Sequence, residues 1–395
     1  MKRKSLNIGL FGYGFVGTGL YEVLQKTTAL TAGISKICVK DRDKLRNLPA
    51  SSFTFEKSDI LNDPAINVVI ELIDDADAAF EIVSEALKQK KAVITANKKM
   101  IAKHFKELIE LQREYKTPLL YEGACCASIP IIRILEEYYD TDLLESVEGI
   151  INGSTNYILT KTMEENISYK QALIQAQEKG YAENNPSLDT QGFDAKFKLL
   201  ILLVHSFGLL VTPEEIFNLG IDKLGKLEFQ FAREKNYKIK LIARAYRDQD
   251  SNIIAFVLPM FIGSDDRLFG IDDVYNGIQT KTSFADIHFF SGKGAGAFPT
   301  ASAVLSDLSA LTYDYKYEYK KLRQISGIQL SNDVTMKIML RFKKADADVL
   351  RKHFEKIEEF YENGQSAYII GNLRLNSIKE IISMPDGENS IVAFG

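Results

Sequence analysis

The chain has few of the residues that build disulfide frameworks or metal cages. Its 395 residues include three cysteines, Cys38, Cys125 and Cys126, and four histidines, His104, His205, His288 and His353. An odd cysteine count with two adjacent makes no disulfide framework and points to a reducing, cytoplasmic setting. The histidines are scattered and lack the spacing of metal ligands. No apolar run approaches about 18 residues, so no membrane-spanning helix is expected. Neither sign of charge dominates. Net charge is −4 and the isoelectric point about 5.8, which leaves no basic footprint for nucleic acid and no polybasic arm for a membrane. Met1 to Asn7 is basic, but the apolar run after it is too short and too rich in glycine for a signal peptide and reads as a first strand. Internal repeats and low-complexity segments are absent. What remains is an ordinary globular composition, 46% hydrophobic and 26% charged. At about 100–200 residues per domain, the length suits two or three domains.

Strands and helices alternate through the first third. Leu6–Phe11, Ile34–Val39, Val68–Ile73, Ala92–Thr95 and Pro118–Glu122 read as strands; Ala78–Gln89 and Lys98–Tyr115 read as helices. That alternation predicts βαβ units and a doubly wound parallel sheet, an α/β fold of Rossmann type. Beyond residue 130, helices are expected at Ile131–Tyr139, Tyr169–Glu178 and Phe193–Leu210, the last nearly all apolar and so buried. Strands follow at Lys238–Tyr246, Ile253–Ile262, Gly277–Lys281 and Asp286–Phe290, as in an antiparallel α+β domain. The tail reads as strand Thr335–Phe342, amphipathic helix Ala345–Phe360, and strands Ser366–Leu373 and Ser390–Phe394. The expected organisation is an α/β domain over 1–130 completed by 299–322, an α+β domain over 131–298, and a small α+β tail over 323–395.

Gly12-Tyr13-Gly14-Phe15-Val16-Gly17 fits G-x-G-x-x-G between a strand and a helix. Glycines there permit a tight turn and close approach of backbone to a pyrophosphate, which the helix N-terminus stabilises. Gly12, Gly14, Phe15, Val16 and Gly17 are therefore dinucleotide contacts. The second strand ends at Val39-Lys40-Asp41. An acid there would hold the ribose 2′-hydroxyl of NAD, and a base such as Lys40 the 2′-phosphate of NADP, so both cofactors stay open. Val93-Ile94-Thr95-Ala96-Asn97-Lys98 ends a further strand in a polar turn and an ammonium, where open α/β sheets bind ligands. Thr95, Asn97 and Lys98 are candidates for that reason.

Two further segments, Gly149 to Leu159 (including Asn152-Gly153-Ser154-Thr155) and Gly180 to Lys198, follow in order. With them stands Gly292-Lys293-Gly294-Ala295-Gly296-Ala297-Phe298-Pro299-Thr300. Together with the lysine turn these closely resemble homoserine dehydrogenases over roughly residues 6–310. The resemblance implies a reversible hydride transfer between NAD(P)H and L-aspartate 4-semialdehyde that gives L-homoserine, on the route to threonine, methionine and isoleucine. It makes the first domain, 1–130 completed by 299–322, the dinucleotide-binding domain, and the second, 131–298, the substrate and dimerisation domain. It makes Lys198 the catalytic lysine and Lys98 the lysine near nicotinamide and substrate. Glu183 and Asp194 become substrate-binding acids, with Asp189 in support, and Gly180 and Gly296 cofactor contacts. It also implies a monovalent cation, usually sodium, on the segment headed by Glu122, with Cys125, Ala127 and Ile129 offering main-chain carbonyls. A homodimer or higher homo-oligomer is expected, monofunctional, with no aspartate kinase domain preceding it.

The chemistry is arguable from residue types alone. Oxidising an alcohol needs a hydride acceptor and a base for the hydroxyl proton. A lysine serves as base once burial or a second ammonium favours its neutral form, a charge that Lys98 and Lys198 would supply to each other. The α-ammonium of an amino-acid substrate wants carboxylates, which Glu183 and Asp194 offer. Its α-carboxylate wants donors, which the Asn152-Gly153-Ser154-Thr155 turn could provide, Gly153 and Ser154 above all. Taken alone, the i,i+4 pair Asp194 and Lys198 would be a surface ion pair.

The chain also departs from the family pattern. Asp74-Asp75 replaces two glycines near the cofactor phosphates. These acids would either repel phosphate or turn outward. Cys125-Cys126 stands in a cation segment usually richer in glycine, and both read as buried small residues. The tail loosely resembles an ACT regulatory domain but offers Lys343-Lys344-Ala345-Asp346 where the effector-binding Asp-x-Pro-Gly turn would be. It is expected to be structural or dimerising. Another Rossmann amino-acid or aldehyde dehydrogenase is the first alternative; a non-catalytic regulatory paralogue is the second.

Overall fold

A computed structural model describes residues 5–140, 143–324, 327–364, 366–384 and 389–395. The basic stretch Met1–Lys4 lies outside the described residues. The chain divides into two compact units. The first holds Met1–Thr141, Leu200–Thr212 and Gly292–Gln324, and the second Asp142–Leu199, Pro213–Ser291 and Ile325–Gly395.

The first unit is built on six strands: β1 (Leu6–Phe11), β2 (Ala32–Cys38), β3 (Phe53–Thr54), β4 (Val68–Glu71), β5 (Ala92–Thr95) and β6 (Leu119–Leu120). All pair in parallel, in the order β3-β2-β1-β4-β5-β6, which is the doubly wound arrangement for dinucleotides. A sheet covered on both faces needs continuous apolar runs, and Val68, Val69, Ile70, Val93 and Ile94 are all fully buried. Strand order reverses at β1 and β4, so their C-terminal ends open the crevice where ligands bind. A second anchor is a buried polar chain. Glu136 Oε1 lies 2.7 Å from His205 Nδ1, whose Nε2 lies 2.9 Å from the Tyr121 hydroxyl, itself 2.9 Å from that of Tyr319.

The second unit carries β7 (Leu144–Ile150), β8 (Phe217–Asn218), β9 (Lys238–Arg247), β10 (Ile253–Ile262), β11 (Tyr275–Thr282), β12 (Asp286–Lys293), β13 (Leu330–Ser331), β14 (Thr335–Lys343), β15 (Phe354–Asn363), β16 (Ser366–Arg374) and β17 (Ser390–Phe394). They form one sheet in the order β12-β11-β7-β9-β10-β17-β14-β16-β15, with β8 and β13 also on β10. The β9–β10 pair is antiparallel, as read from the sequence, and β7, a strand the sequence reading did not find, pairs antiparallel with both β9 and β11.

The tail differs from the expected separate module. It has the strand–helix–strand–strand–helix–strand order of a ferredoxin-like unit. Its β17 pairs with β10, and Ile338, Leu340, Ile369 and Ile378 share a core with Ile254, Phe256 and Leu258. An ion pair from Arg341 Nε to the buried Glu228 Oε1, 2.6 Å long, binds it further. The helix expected over Ala345–Phe360 is replaced by Ala347–Leu350 with flanking 3₁₀ turns, then strand β15. The cause lies in β15. Bulges between Phe354 and Lys356 and between Ile357 and Glu359 break the alternation, so apolar residues fall three apart as on a helix.

Candidate active site

In the first unit the glycine turn is shaped for a dinucleotide. Gly12 has φ +94°, and a Cβ there would lie 2.5 Å from the Leu72 carbonyl oxygen at the end of β4. A Cβ on Gly17 would lie 2.4 Å from the Gly12 carbonyl oxygen. Gly14 starts the helix Phe15–Lys26 with no side-chain cap, and a Cβ on it would meet nothing. The first amides of that helix have no intrahelical partners and no side-chain cap, and the space beside Gly14 is open, which suits a pyrophosphate. Phe15 is 73% exposed beside it, and Val16 follows. Gly19 packs on Ala297, which places the Gly296 loop (φ +129°) close to this helix.

At the end of β2, Lys40 is exposed. Asp41 is exposed as well, and one of its carboxylate oxygens is engaged locally: Oδ1 accepts from the amides of Asp43 and Lys44, and the Asp41 carbonyl accepts from Arg46 Nη2 at 2.6 Å. Arg42 stacks on Phe55 and Arg46 on Phe53. The strand end is thus a basic turn.

At the ends of β4 and β5 sits a buried network that sequence reading did not find. Thr95 Oγ1 donates to Glu71 Oε2 at 2.5 Å, the Ile73 amide donates to Glu71 Oε1 at 2.6 Å, and Asn97 Nδ2 donates to the Ile73 carbonyl at 3.0 Å. Burial pushes the Glu71 carboxyl up to about 7, against the opposing pull of those donors. Asn97 also caps the helix Lys98–Tyr115 by accepting from the Met100 amide, which fixes where Lys98 starts. Asp74 is exposed, and Asp75 Oδ1 accepts from the Asp77 and Ala78 amides as the N-cap of Ala76–Lys88. The acid that replaces glycine has a local job.

Glu122 is buried, and its two carboxylate oxygens accept from the amides of Ile132 and Arg133, each at 2.9 Å. Burial pushes its carboxyl up to about 7. Cys125, Ala127 and Ile129 are buried as well, and Ala127 holds φ +49°, unusual for a residue with a side chain. Cys125 and Cys126 are small buried residues, as expected.

In the second unit, the helix Gly153–Glu164 begins where β7 ends. Lys198, buried on the helix Phe193–Phe207, places Nζ 2.7 Å from Asp194 Oδ2 and 2.8 Å from the Ile151 carbonyl. Asn152 Nδ2 donates to Asp189 Oδ1 and to Asp194 Oδ2, both at 2.7 Å. Ser154 Oγ donates to the Tyr181 carbonyl at 2.5 Å, tying the turn to the Gly180 segment, where Gly180 has φ +72°. Glu183 is exposed on the same segment, its carbonyl accepting from Gln177 Nε2. Of the candidates in this unit, Lys198, Asp194 and Asp189 converge through Asn152, and Gly153 and Ser154 lie on the adjoining helix start. The Ile151–Asn152 elbow was legible only as a turn; its side-chain role had no sequence signal.

Fold and site together define a nucleotide-dependent oxidoreductase with a buried acid–lysine pair. Family models agree: residues 12–122 match the NAD binding domain of homoserine dehydrogenase, and 130–309 match homoserine dehydrogenase. A homoserine dehydrogenase of Bacillus subtilis is 34% identical over 317 residues, covering 78% of this chain and 73% of that one. The crystal structure of a homoserine dehydrogenase from Thiobacillus denitrificans superposes with a TM-score of 0.87 at 27% identity, covering 99% and 98%. A hyperthermophilic archaeal homoserine dehydrogenase mutant in complex with NADPH gives a TM-score of 0.68 at 26% identity, covering 80% and 100%. The chain belongs to the homoserine dehydrogenase family. It is an NAD(P)-dependent oxidoreductase that interconverts L-homoserine and L-aspartate 4-semialdehyde. Among the described residues no helix is long and apolar enough to cross a membrane.

Proposed function

We propose that Lys198 is the proton-transfer residue of this reaction, and the observation that carries the proposal is its buried pairing with Asp194 and the Ile151 carbonyl. As an ammonium, Lys198 gives its proton to the aldehyde oxygen during reduction. In the reverse direction its amine takes the proton from the homoserine hydroxyl. Bound nicotinamide supplies or accepts the hydride. Glu183 and Asp194 hold the substrate α-ammonium, with Asp189 behind them, while Gly153 and Ser154 offer helix-start amides to its α-carboxylate. Lys98 assists at the reacting oxygen. The cofactor rests on Gly12, Gly14, Phe15, Val16 and Gly17, with Thr95, Asn97, Lys98, Gly180 and Gly296 completing its contacts. Steady-state kinetics of Lys198→Ala with L-homoserine test the assignment.

NADP is the preferred cofactor in this reading. Asp41 is engaged by its own turn, while Lys40, Arg42 and Arg46 leave that turn basic, which favours a 2′-phosphate over a hydroxyl. Comparing kcat/KM for the two cofactors decides it.

A sodium ion at the Glu122 segment is part of the same proposal. The carboxylate of Glu122 is occupied by two amides, so main-chain carbonyls of Cys125, Ala127 and Ile129 would hold the ion, and the left-handed turn at Ala127 suits such a cage. We further assign a structural role to the tail, given its shared core and sheet. A homodimer in the cytoplasm completes the reading. Edge strand β12 with the exposed Phe284 before it supports the dimer, and three cysteines as thiols support the compartment.

A further inference from the structure

Asn152 stands at the junction of β7 and the helix Gly153–Glu164, and it does more than begin that helix. Its Oδ1 accepts from the Thr155 amide at 2.8 Å and from Thr155 Oγ1 at 2.9 Å. The Thr155 amide, which can only donate, fixes which end of the carboxamide is oxygen, so the nitrogen must face the other way. There it donates to two carboxylates at once, Asp189 Oδ1 and Asp194 Oδ2. Both accepting oxygens lie within a hydrogen-bond length of one nitrogen, so two negative groups are held side by side by a neutral donor. The Asp194 oxygen that Asn152 grips is also the one that meets Lys198 Nζ. The preceding residue, Ile151, accepts from the same ammonium. Two consecutive residues of one elbow therefore position both members of the acid–lysine pair.

We infer that Asn152 is a positioning residue for the reaction: it bridges Asp189 and Asp194 and so sets where Asp194 presents its charge to Lys198. The inference rests on the assignment of Lys198 and Asp194 given above. The residue type is demanding. Serine or aspartate would cap the helix as well as asparagine does. Serine, however, has one hydrogen to share between two acids. Ionised aspartate has none, and adds a third carboxylate to the pair. Glutamine would carry the amide one methylene too far.

Capping and bridging can thus be separated. Asn152→Ser keeps the cap and should melt close to the wild type. Asn152→Asp keeps the cap but should melt lower above the range where its carboxyl ionises, because a third carboxylate is then buried beside two others. Asn152→Ala loses both functions. In Asn152→Asp, kcat/KM for the amino-acid substrate should fall by about 10- to 100-fold at pH 8, the loss expected when hydrogen bonds to charged groups disappear. NADP(H) binding, followed by cofactor fluorescence, should not change. Measured in the direction of aldehyde reduction, the deficit should shrink as pH falls and the new aspartate gains a proton to donate. Asn152→Ser should fall between wild type and Asn152→Asp. A folded Asn152→Asp with wild-type kcat/KM and an unshifted pH profile overturns the inference and leaves Asn152 a helix cap. Lys198→Ala, assayed in parallel, keeps the two claims apart. Turnover at the wild-type rate in Lys198→Ala defeats the Lys198 assignment, while the pH-dependent deficit of Asn152→Asp reports on Asn152 alone.

Discussion

Asp194 and Lys198, one helical turn apart, form a buried ion pair: Nζ lies 2.7 Å from Oδ2, and the side chains are 5% and 9% exposed. A pair at this spacing on a wet helix surface would contribute about 0.3–0.5 kcal/mol. Buried, the arithmetic reverses. Removing one partner strands the other charge away from water, at a cost of about 3–5 kcal/mol. Asp194→Ala should therefore lose stability on that scale as well as activity, and Asp194→Asn, which keeps polar contact, should lose less. Urea unfolding of the two variants checks the ranking.

Glu71 predicts a pH dependence of stability. Its folded value of about 7 lies above its ordinary 4.5 because of burial. Between those values the folded chain keeps a proton that the unfolded chain releases. Stability contributed through this group therefore falls as pH rises from 4.5 to 7, and the full penalty, about 3 kcal/mol, persists above pH 7. Glu71→Gln should melt higher relative to wild type at pH 8 than at pH 5. Equal differences at the two pH values would contradict the assignment.

The basic turn after β2 predicts cofactor preference. Lys40→Ala should weaken NADPH binding by about tenfold, as for loss of a charge-assisted hydrogen bond, and leave NADH binding alone. Titration of the variant with each reduced cofactor measures both numbers.

Asp75 offers a contrast. As the N-cap of Ala76–Lys88 it should contribute about 1 kcal/mol. Asp75→Ala should lower the melting temperature without changing KM for the cofactor. A large improvement in cofactor affinity would mean instead that the acid repels phosphate.

Much of this was legible in the sequence where chemistry and geometry demand particular residues. Gly12 and Gly17 have no room for a Cβ, so the glycine pattern marks the turn directly. The apolar run Leu199–Val204 announced that the helix bearing Lys198 is buried, and it is. The expected helix over Ala345–Phe360 failed because the bulges in β15 place Phe354, Ile357 and Phe360 at helical spacing. The tail's union with the large sheet was invisible, since the β10–β17 pairing joins residues far apart in sequence. Glu71 and Asn152 escaped for a related reason. A buried acid at a strand end and an asparagine in a turn are ordinary in sequence, and only their partners at Thr95, Asp189 and Asp194 give them meaning.

The most direct test of the account is the absorbance of reduced cofactor during turnover of L-homoserine by wild type and Lys198→Ala. General acid–base catalysis by one side chain contributes about 10²- to 10⁴-fold. The account predicts a loss of that size in kcat with cofactor binding intact. A Lys198→Ala enzyme that turns over at the wild-type rate would contradict it.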